Sequence, residues 1–216
     1  MTFETVVDED PARRVADLLL EISGNVALAG GSTPRRAYEL ARERRDWNGV
    51  SFWWSDERCV PADDERSNYG MARAALLDYV ENADVHRIRG ELGGREAARL
   101  YEDELYGVTI DLCLLGVGPD GHTASLFPGS PALDERERLV VPAEPGLEPL
   151  VERVTFTLPA IASAELAVFL IAGPDKAEAV ERAFARPPSS DTPASLARGR
   201  RTRVYLDPAS ASRLRG

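Results

Sequence analysis

The chain has 216 residues, of which 44% are hydrophobic and 29% are charged, a composition typical of a folded globular protein. Its formal net charge of −10 argues against nucleic-acid binding, which needs clustered positive charge. Residues 1–10 show no basic start followed by an apolar run, so we expect no secretory signal and a cytoplasmic location. No apolar stretch is long enough to cross a bilayer, so we expect no membrane partner.

Short apolar runs alternate with amphipathic stretches in the first half of the chain. Apolar residues three or four positions apart predict a helix over 10–22, and a short apolar run predicts a strand over 25–29. Thr33 followed by Pro34 predicts a helix start at which the threonine hydroxyl is the cap. The next elements predicted are a strand over 50–54, a polar loop over 56–67, and helices over 68–77 and 94–106.

The second half continues the alternation. The nearly continuous apolar run 110–115 is typical of a strand that is covered on both faces. The remaining elements predicted are strands over 154–157, 166–171 and 203–206, a helix over 175–185, and a proline-rich loop over 186–193. Such alternation predicts an α/β fold of three layers, an open and mostly parallel sheet with helices on both faces. With no internal repeat and no linker, residues 1–216 are expected to form a single domain.

Open sheets of this class bind ligands beyond the carboxyl ends of their strands, which directs attention to four loops. The first contains Gly30, Gly31, Ser32 and Thr33, where two glycines allow close approach of a ligand and a helix start offers free N–H groups. A tight, well-capped turn would explain the same residues. In the second loop Arg58 could grip a phosphate with its planar fork, although most arginines form surface ion pairs.

The third loop formally matches a dinucleotide-binding pattern over residues 116–121. Pro128 and Pro131 would interrupt the helix that this pattern requires, and no acidic residue ends a following strand, so we expect no nicotinamide or flavin cofactor. The loop does contain Asp120 and His122. A histidine on a glycine-rich turn at the ligand edge suits a general base, and a carboxylate two residues away could orient it.

The fourth loop contains Lys176, the only lysine among 26 basic residues, at a strand-to-helix junction. Its compact ammonium group favours an anion contact there, with chance as the alternative. The other histidine, His86, lies in a short stretch without a glycine loop and is expected to be a packed residue. No spacing of ligand residues indicates a metal, and no Gly-x-Ser-x-Gly segment indicates a serine hydrolase.

Six segments of the chain form an ordered set: LAGGSTPRRAYEL from Leu28, WSDERCVPADDERSNYG from Trp54, LLGVGPDGHTASLFPG from Leu114, RVTFTLPAI from Arg153, LIAGPDKAEAV from Leu170 and PASL from Pro193. In their order and spacing they resemble the 6-phosphogluconolactonase family. The resemblance implies hydrolysis of 6-phospho-D-glucono-1,5-lactone without metal or cofactor. It also implies a Rossmann-like fold of the kind shared by glucosamine-6-phosphate deaminases and ribose-5-phosphate isomerases.

The resemblance further implies the roles of individual residues. His122 would be the catalytic base and Asp120 its neighbour. The residues that would bind the substrate or its phosphate are Gly30, Gly31, Ser32, Thr33, Asp56, Arg58, Gly118, Arg153 and Lys176. The expected partner is a small phosphorylated sugar lactone, and the expected assembly is a monomer or a weak homo-oligomer.

Two alternatives stay open at this point. A glucosamine-6-phosphate deaminase or sugar-phosphate isomerase resembles AFNEPG after its Asp-Gly-His segment, whereas residues 124–129 here read ASLFPG and lack the acid. A non-catalytic sugar-phosphate sensor would carry a DNA-binding segment, and neither terminus offers one or a basic face. Release of ammonia from glucosamine 6-phosphate would support the first alternative, and tight product binding without turnover the second.

Overall fold

The computed structural model describes residues 3–43 and 46–214, so the expectations on residues 1–10 and on a single domain over 1–216 fall partly outside the described residues. The elements within this part of the chain are β1 (Glu4–Val7), α1 (Pro11–Leu19), β2 (Gly24–Leu28), α2 (Ser32–Ala41), β3 (Val50–Trp54), β4 (Asp56–Arg58), α3 (Asn68–Ala75), β5 (Asp84–Val85), α4 (Gly94–Leu105), β6 (Leu112–Leu115), β7 (Val140–Ala143), β8 (Arg153–Phe156), α5 (Leu158–Ser163), β9 (Leu166–Ile171), α6 (Ala177–Phe184) and β10 (Arg201–Leu206).

Seven strands form one sheet in the order β1-β10-β9-β6-β2-β3-β5, and every pair in it is parallel. All residues of β6 and β9 are buried although successive side chains point to opposite faces, so both faces of the sheet are covered. The predicted α/β class, an open and mostly parallel sheet between helices, is confirmed.

The two helices before the site begin in different ways. The side chain of Asp10 caps α1 by accepting a hydrogen bond from the Arg13 N–H, with proline at the first helical position. The prediction that Thr33 caps α2 is wrong, because Gly31 is the cap residue and no side chain makes a capping bond. Gly31 has a φ of 107°, which a side chain rarely tolerates. The helix starts two residues earlier than predicted, and no side chain caps its first N–H groups.

A second, antiparallel sheet has the order β4-β8-β7. The predicted polar loop over 56–67 is therefore wrong at its start, where Asp56 and Glu57 are buried within a strand. Glu57 tolerates burial because its carboxylate accepts hydrogen bonds from the N–H groups of Arg58, Asn68 and Tyr69 and from the Ser67 hydroxyl. Burial raises the pKa of Glu57, and these bonds only partly oppose the rise.

The sequence patterns do not predict four short strands and one short helix: β1, β4, β5, β7 and α5. Each has six residues or fewer. The four predicted ligand loops follow β2, β3, β6 and β9, which are consecutive in the sheet order β9-β6-β2-β3. Because these strands are parallel, the loops leave the sheet along one edge and meet there.

Candidate active site

A cleft of about 310 Å³ lies at this edge. Eight of the predicted site residues line it: Gly30, Gly31, Asp56, Arg58, Gly118, His122, Arg153 and Lys176. Ser32 and Thr33 line an adjoining cavity of about 160 Å³ around the start of α2, and Gly30, Gly31 and Lys176 border both spaces. Asp120 is not part of the cleft wall but contacts His122. The fold therefore places the residues selected from four separate loops in one region.

His122 and Asp120 form a hydrogen-bonded pair. The ring Nδ1 lies 2.6 Å from Asp120 Oδ1, and the His122 main-chain N–H lies 3.2 Å from the same oxygen. Burial works to raise the pKa of Asp120, but the hydrogen bond and charge of His122 outweigh it and hold that pKa below its usual value of 3.8. An ionised carboxylate at this distance favours the proton on Nδ1, which leaves the lone pair of Nε2 available as a base.

The turn that carries His122 closes tightly on itself. The N–H of Gly118 donates to the His122 carbonyl at 2.9 Å, and the buried Thr123 hydroxyl donates to the Gly116 carbonyl at 2.8 Å. A Cβ on Gly118 would run into the imidazole ring, so only glycine fits there. Ala124, which lines the cleft, has a φ of 49°, a strained conformation for a residue with a side chain. The histidine is thus held by a preformed and locally strained backbone.

Asp56 is buried beneath the cleft and held by two side chains that are not among the predicted site residues. Ser125 Oγ donates to Asp56 Oδ2 at 2.7 Å, and Asn68 Nδ2 donates to Oδ1 at 3.1 Å. A Cβ on Gly30 would collide with the Asn68 side chain, which gives that glycine a packing role as well. Asn68 could have been selected from the sequence because it is the first residue of a predicted helix. Ser125 could not, because nothing in the residue pattern distinguishes it from other serines in loops.

Arg58 and Lys176 supply positive charge from two different loops. Arg58 Nη1 donates to the Arg66 carbonyl at 2.6 Å, and its buried Nε has no hydrogen-bond partner in the part of the chain that the structure describes. Lys176 Nζ lies 3.5 Å from Asp175 Oδ2. The protein as a whole is negatively charged, so an anionic ligand needs a region of local positive charge, and these two side chains supply it.

Arg153 also lines the cleft, but the residue is only 4% exposed and its side chain is hydrogen-bonded to main-chain carbonyls. Its Nη2 donates to the carbonyls of Leu147 at 3.1 Å and Pro149 at 3.2 Å. Burial lowers the pKa of Arg153, the charge of Asp56 opposes that shift, and the charge of Arg58 adds to it.

Residues 3–43 and 46–214 contain no group of three or more His, Cys, Asp or Glu side chains arranged to hold a metal ion. Among the helices of these same residues, none has the length and apolar character of a membrane span.

The sequence matches the family model described as glucosamine-6-phosphate isomerases/6-phosphogluconolactonase over residues 9–206. The chain belongs to this family. Within it, the 6-phosphogluconolactonase of Synechocystis is 42% identical over 175 residues, which cover 75% of this chain and 72% of that protein. The 6-phosphogluconolactonase of Streptomyces coelicolor is 37% identical, with 97% of this chain and 86% of the relative covered.

A solved structure of a family member supports the same relationship in three dimensions. The crystal structure of 6-phosphogluconolactonase from Leishmania guyanensis superposes with a TM-score of 0.89 at 28% identity, and the match covers 100% of both chains. The resemblance drawn from six sequence segments is confirmed.

Proposed function

We propose that this protein hydrolyses 6-phospho-D-glucono-1,5-lactone to 6-phospho-D-gluconate, the second step of the oxidative pentose phosphate pathway. The observation that carries the proposal is the His122–Asp120 pair, which opens on a cleft that Arg58 and Lys176 also line. A base with a free nitrogen and a cationic region in one cleft suit an ester that carries a phosphate. The 6-phosphogluconolactonases among the relatives and solved structures support the same reaction.

The reaction begins with His122. Its Nε2 takes a proton from a water molecule while the water oxygen attacks the lactone carbonyl carbon, and the carbonyl oxygen becomes an oxyanion. Main-chain N–H groups of the glycine-rich turns donate to that oxyanion. The imidazolium then returns its proton to the ring oxygen as the bond from that oxygen to the carbonyl carbon breaks. The products are an open-chain acid, which ionises, and the regenerated base.

Asp120 keeps the ring in the orientation and tautomer that this step requires and stabilises the imidazolium. Arg58 and Lys176 bind the phosphate, and Gly30, Gly31, Ser32 and Thr33 bring main-chain N–H groups and hydroxyls to the substrate. Gly118 and Asp56 shape the cleft beside them. Remote phosphate binding holds the carbonyl in register with the base.

The remaining parts of the proposal concern the protein as a whole. It acts as one domain, as a monomer or a weak homo-oligomer in the cytoplasm. It needs no metal or cofactor, and neither nucleic acid nor membrane is its partner.

The test follows proton release from freshly prepared lactone against the spontaneous rate, with glucosamine 6-phosphate as a parallel substrate. We expect strong acceleration with the lactone and no ammonia from the amino sugar. Ammonia release without lactone hydrolysis would replace the proposal with the deaminase alternative. Tight binding of 6-phosphogluconate without any turnover would replace it with the sensor.

A further inference from the structure

The segment between β7 and β8, residues 144–152, forms one wall of the cleft, and we call it the strap. It belongs to no helix or strand, yet Leu147 and Glu148 at its centre line the cleft that contains His122. The strap thus brings one apolar and one acidic side chain to a cleft whose other charged residues include Arg58 and Lys176. None of the residues assigned to the reaction lies on it.

Two contacts hold the centre of the strap in this position, while Glu152 at its end accepts hydrogen bonds from the Cys59 and Gly94 N–H groups. The first is Arg153, whose Nη2 donates to both the Leu147 and the Pro149 carbonyls. The second is Phe127, because Gly146 lies so close to its ring that a Cβ there would collide with it. The same phenylalanine ring has its centroid 4.5 Å from that of His122 and 5.4 Å from the Arg153 guanidinium carbon. The strap is therefore packed onto Phe127, whose ring contacts that of His122.

The hydrogen bonds of Arg153 are those of a structural residue rather than those of a phosphate ligand. A guanidinium binds phosphate best through two parallel N–H donors. Here Nη2 is engaged by two carbonyls of one loop and the residue is 4% exposed, whereas Arg58 bonds a single carbonyl and is more exposed. A buried cation that makes charge-assisted bonds to main-chain carbonyls fixes the position of that main chain.

We propose that Arg153 is the latch of the strap, a positioning residue, and that the latched strap selects the sugar ring of the substrate through Leu147 and Glu148. Leu147 gives the C–H face of the ring an apolar contact. Glu148 lines the cleft, and its Oε2 accepts from the Leu150 N–H at 3.1 Å. In this assignment its other oxygen, Oε1, accepts from a ring hydroxyl. This assignment rests on the proposed function, because the ring to be selected is that of the phosphorylated lactone.

Arg153→Lys, which keeps the charge but loses the planar fork, separates a latch from a phosphate ligand. We expect KM for the lactone to rise about tenfold, with a smaller change in kcat, because a charge-assisted bond to the strap is lost. Competitive inhibition by inorganic phosphate should stay unchanged. Arg58→Lys is the matched control and should weaken that inhibition. Equal weakening of phosphate inhibition in both variants, or an unchanged KM in Arg153→Lys, would overturn the assignment.

Two other substitutions on the strap test the same wall without touching Arg153. Glu148→Gln should raise KM about threefold to tenfold while inhibition by phosphate is retained, because one acceptor to the ring is weakened. Gly146→Ala should displace the strap from Phe127 and raise KM in the same way. An unchanged KM in both variants would mean that the strap does not contact the ring.

The rate of proteolysis measures how firmly Arg153 holds the strap, independently of enzymatic activity. Chymotrypsin, which also cleaves after leucine, can cut the strap after the exposed Leu147 and Leu150, neither of which precedes a proline, and the fragments are identified by mass spectrometry. Arg153→Lys and Gly146→Ala should be cut at these sites faster than the unmodified protein, with unchanged circular dichroism. Equal cleavage rates would contradict the latch. Because this readout needs no turnover, it still decides the latch if the protein proves not to hydrolyse the lactone.

Discussion

The two histidines of the chain lie in two regions of the molecule that give the imidazole ring different surroundings. His86 follows the outermost strand of the large sheet, where its ring stacks on Trp53 at 4.0 Å with an interplanar angle of 4°. Its Nε2 lies 3.3 Å from Asp84 Oδ1 and its Nδ1 lies 3.6 Å from Glu104 Oε2. Both nitrogens of this ring are therefore next to carboxylates.

His122 instead follows a central strand, and among residues 3–43 and 46–214 the carboxylate paired with its ring is that of Asp120, on Nδ1. Its ring faces a cleft, and its turn is closed by hydrogen bonds of the loop itself. The difference shows that a nearby carboxylate does not make a histidine a base. What matters is a second nitrogen that faces space for a substrate, on a backbone that fixes the ring.

Among the substitutions that test this difference between the two histidines, His122→Asn is expected to cause the largest loss of activity. Asparagine removes the base but can still hydrogen-bond within the loop, so kcat should fall by about 10²–10⁴-fold. The measurement is the initial rate at saturating lactone, corrected for spontaneous hydrolysis. The thermal unfolding midpoint should match that of the unmodified protein, and a midpoint several degrees lower would assign the loss to folding instead.

Gly118→Ala should come next, with a loss of about 100-fold in kcat, because a displacement near 1 Å at the base has that cost. The added Cβ would collide with the imidazole ring and push it out of position. Gly49→Ala is a control for the added methyl group, since nothing lies within 4 Å of a Cβ there, although its positive φ of 79° also strains that variant. Full activity of Gly118→Ala would show that the ring is not fixed by its turn.

Asp120→Asn should lower kcat by about 10- to 100-fold, because it removes a charge-assisted hydrogen bond to the imidazolium. The variant can be compared with Asp84→Asn, which changes the carboxylate beside His86 and should leave kcat unchanged. A similar loss in both variants would erase the distinction between the two regions.

The same pair predicts a pH dependence of stability. The pKa of Asp120 is held below its usual 3.8, so its ionised form stabilises the folded state at any pH above 3.8, and this contribution is lost as the pH falls through the lower folded-state value. The difference in unfolding free energy between the unmodified protein and Asp120→Asn should therefore shrink as the pH falls from about 5 to below 3.8. Urea unfolding at several pH values measures it, and a difference that grows in acid would contradict the assignment.

The smallest effect is expected from His86→Asn. Loss of the stack on Trp53 should lower the free energy of unfolding by about 0.5–1.5 kcal/mol and leave kcat and KM unchanged. Denaturant unfolding measures the free energy of unfolding, and the lactone assay measures kcat and KM. A loss of kcat comparable to that of His122→Asn would refute the division between the two regions.

The fold class and the four site loops could be predicted because they depend on strong local signals, namely apolar runs such as Leu166–Ile171 and glycine-rich turns at their ends. Asp56 and Glu57 could not be predicted as a buried strand. Their burial depends on hydrogen bonds from Ser125, Asn68 and Tyr69, which are distant in the sequence.

The strap could not be predicted for a similar reason. Its position follows from the contacts of Arg153 and Phe127, and neither contact leaves a periodic pattern in the sequence. The residue types that bear the chemistry were thus readable from local motifs, whereas the groups that hold them depend on three-dimensional packing.

The assignment of His122 as the base is tested by following freshly prepared 6-phosphogluconolactone by ³¹P NMR with catalytic amounts of the unmodified protein, His122→Asn and His86→Asn in parallel. We expect rapid and complete conversion to 6-phosphogluconate by the unmodified protein and by His86→Asn, while the reaction with His122→Asn follows the spontaneous curve closely. Conversion by His122→Asn at the rate of the unmodified protein would refute the assignment of the base, and an unmodified protein that only follows the spontaneous curve would refute the proposed reaction.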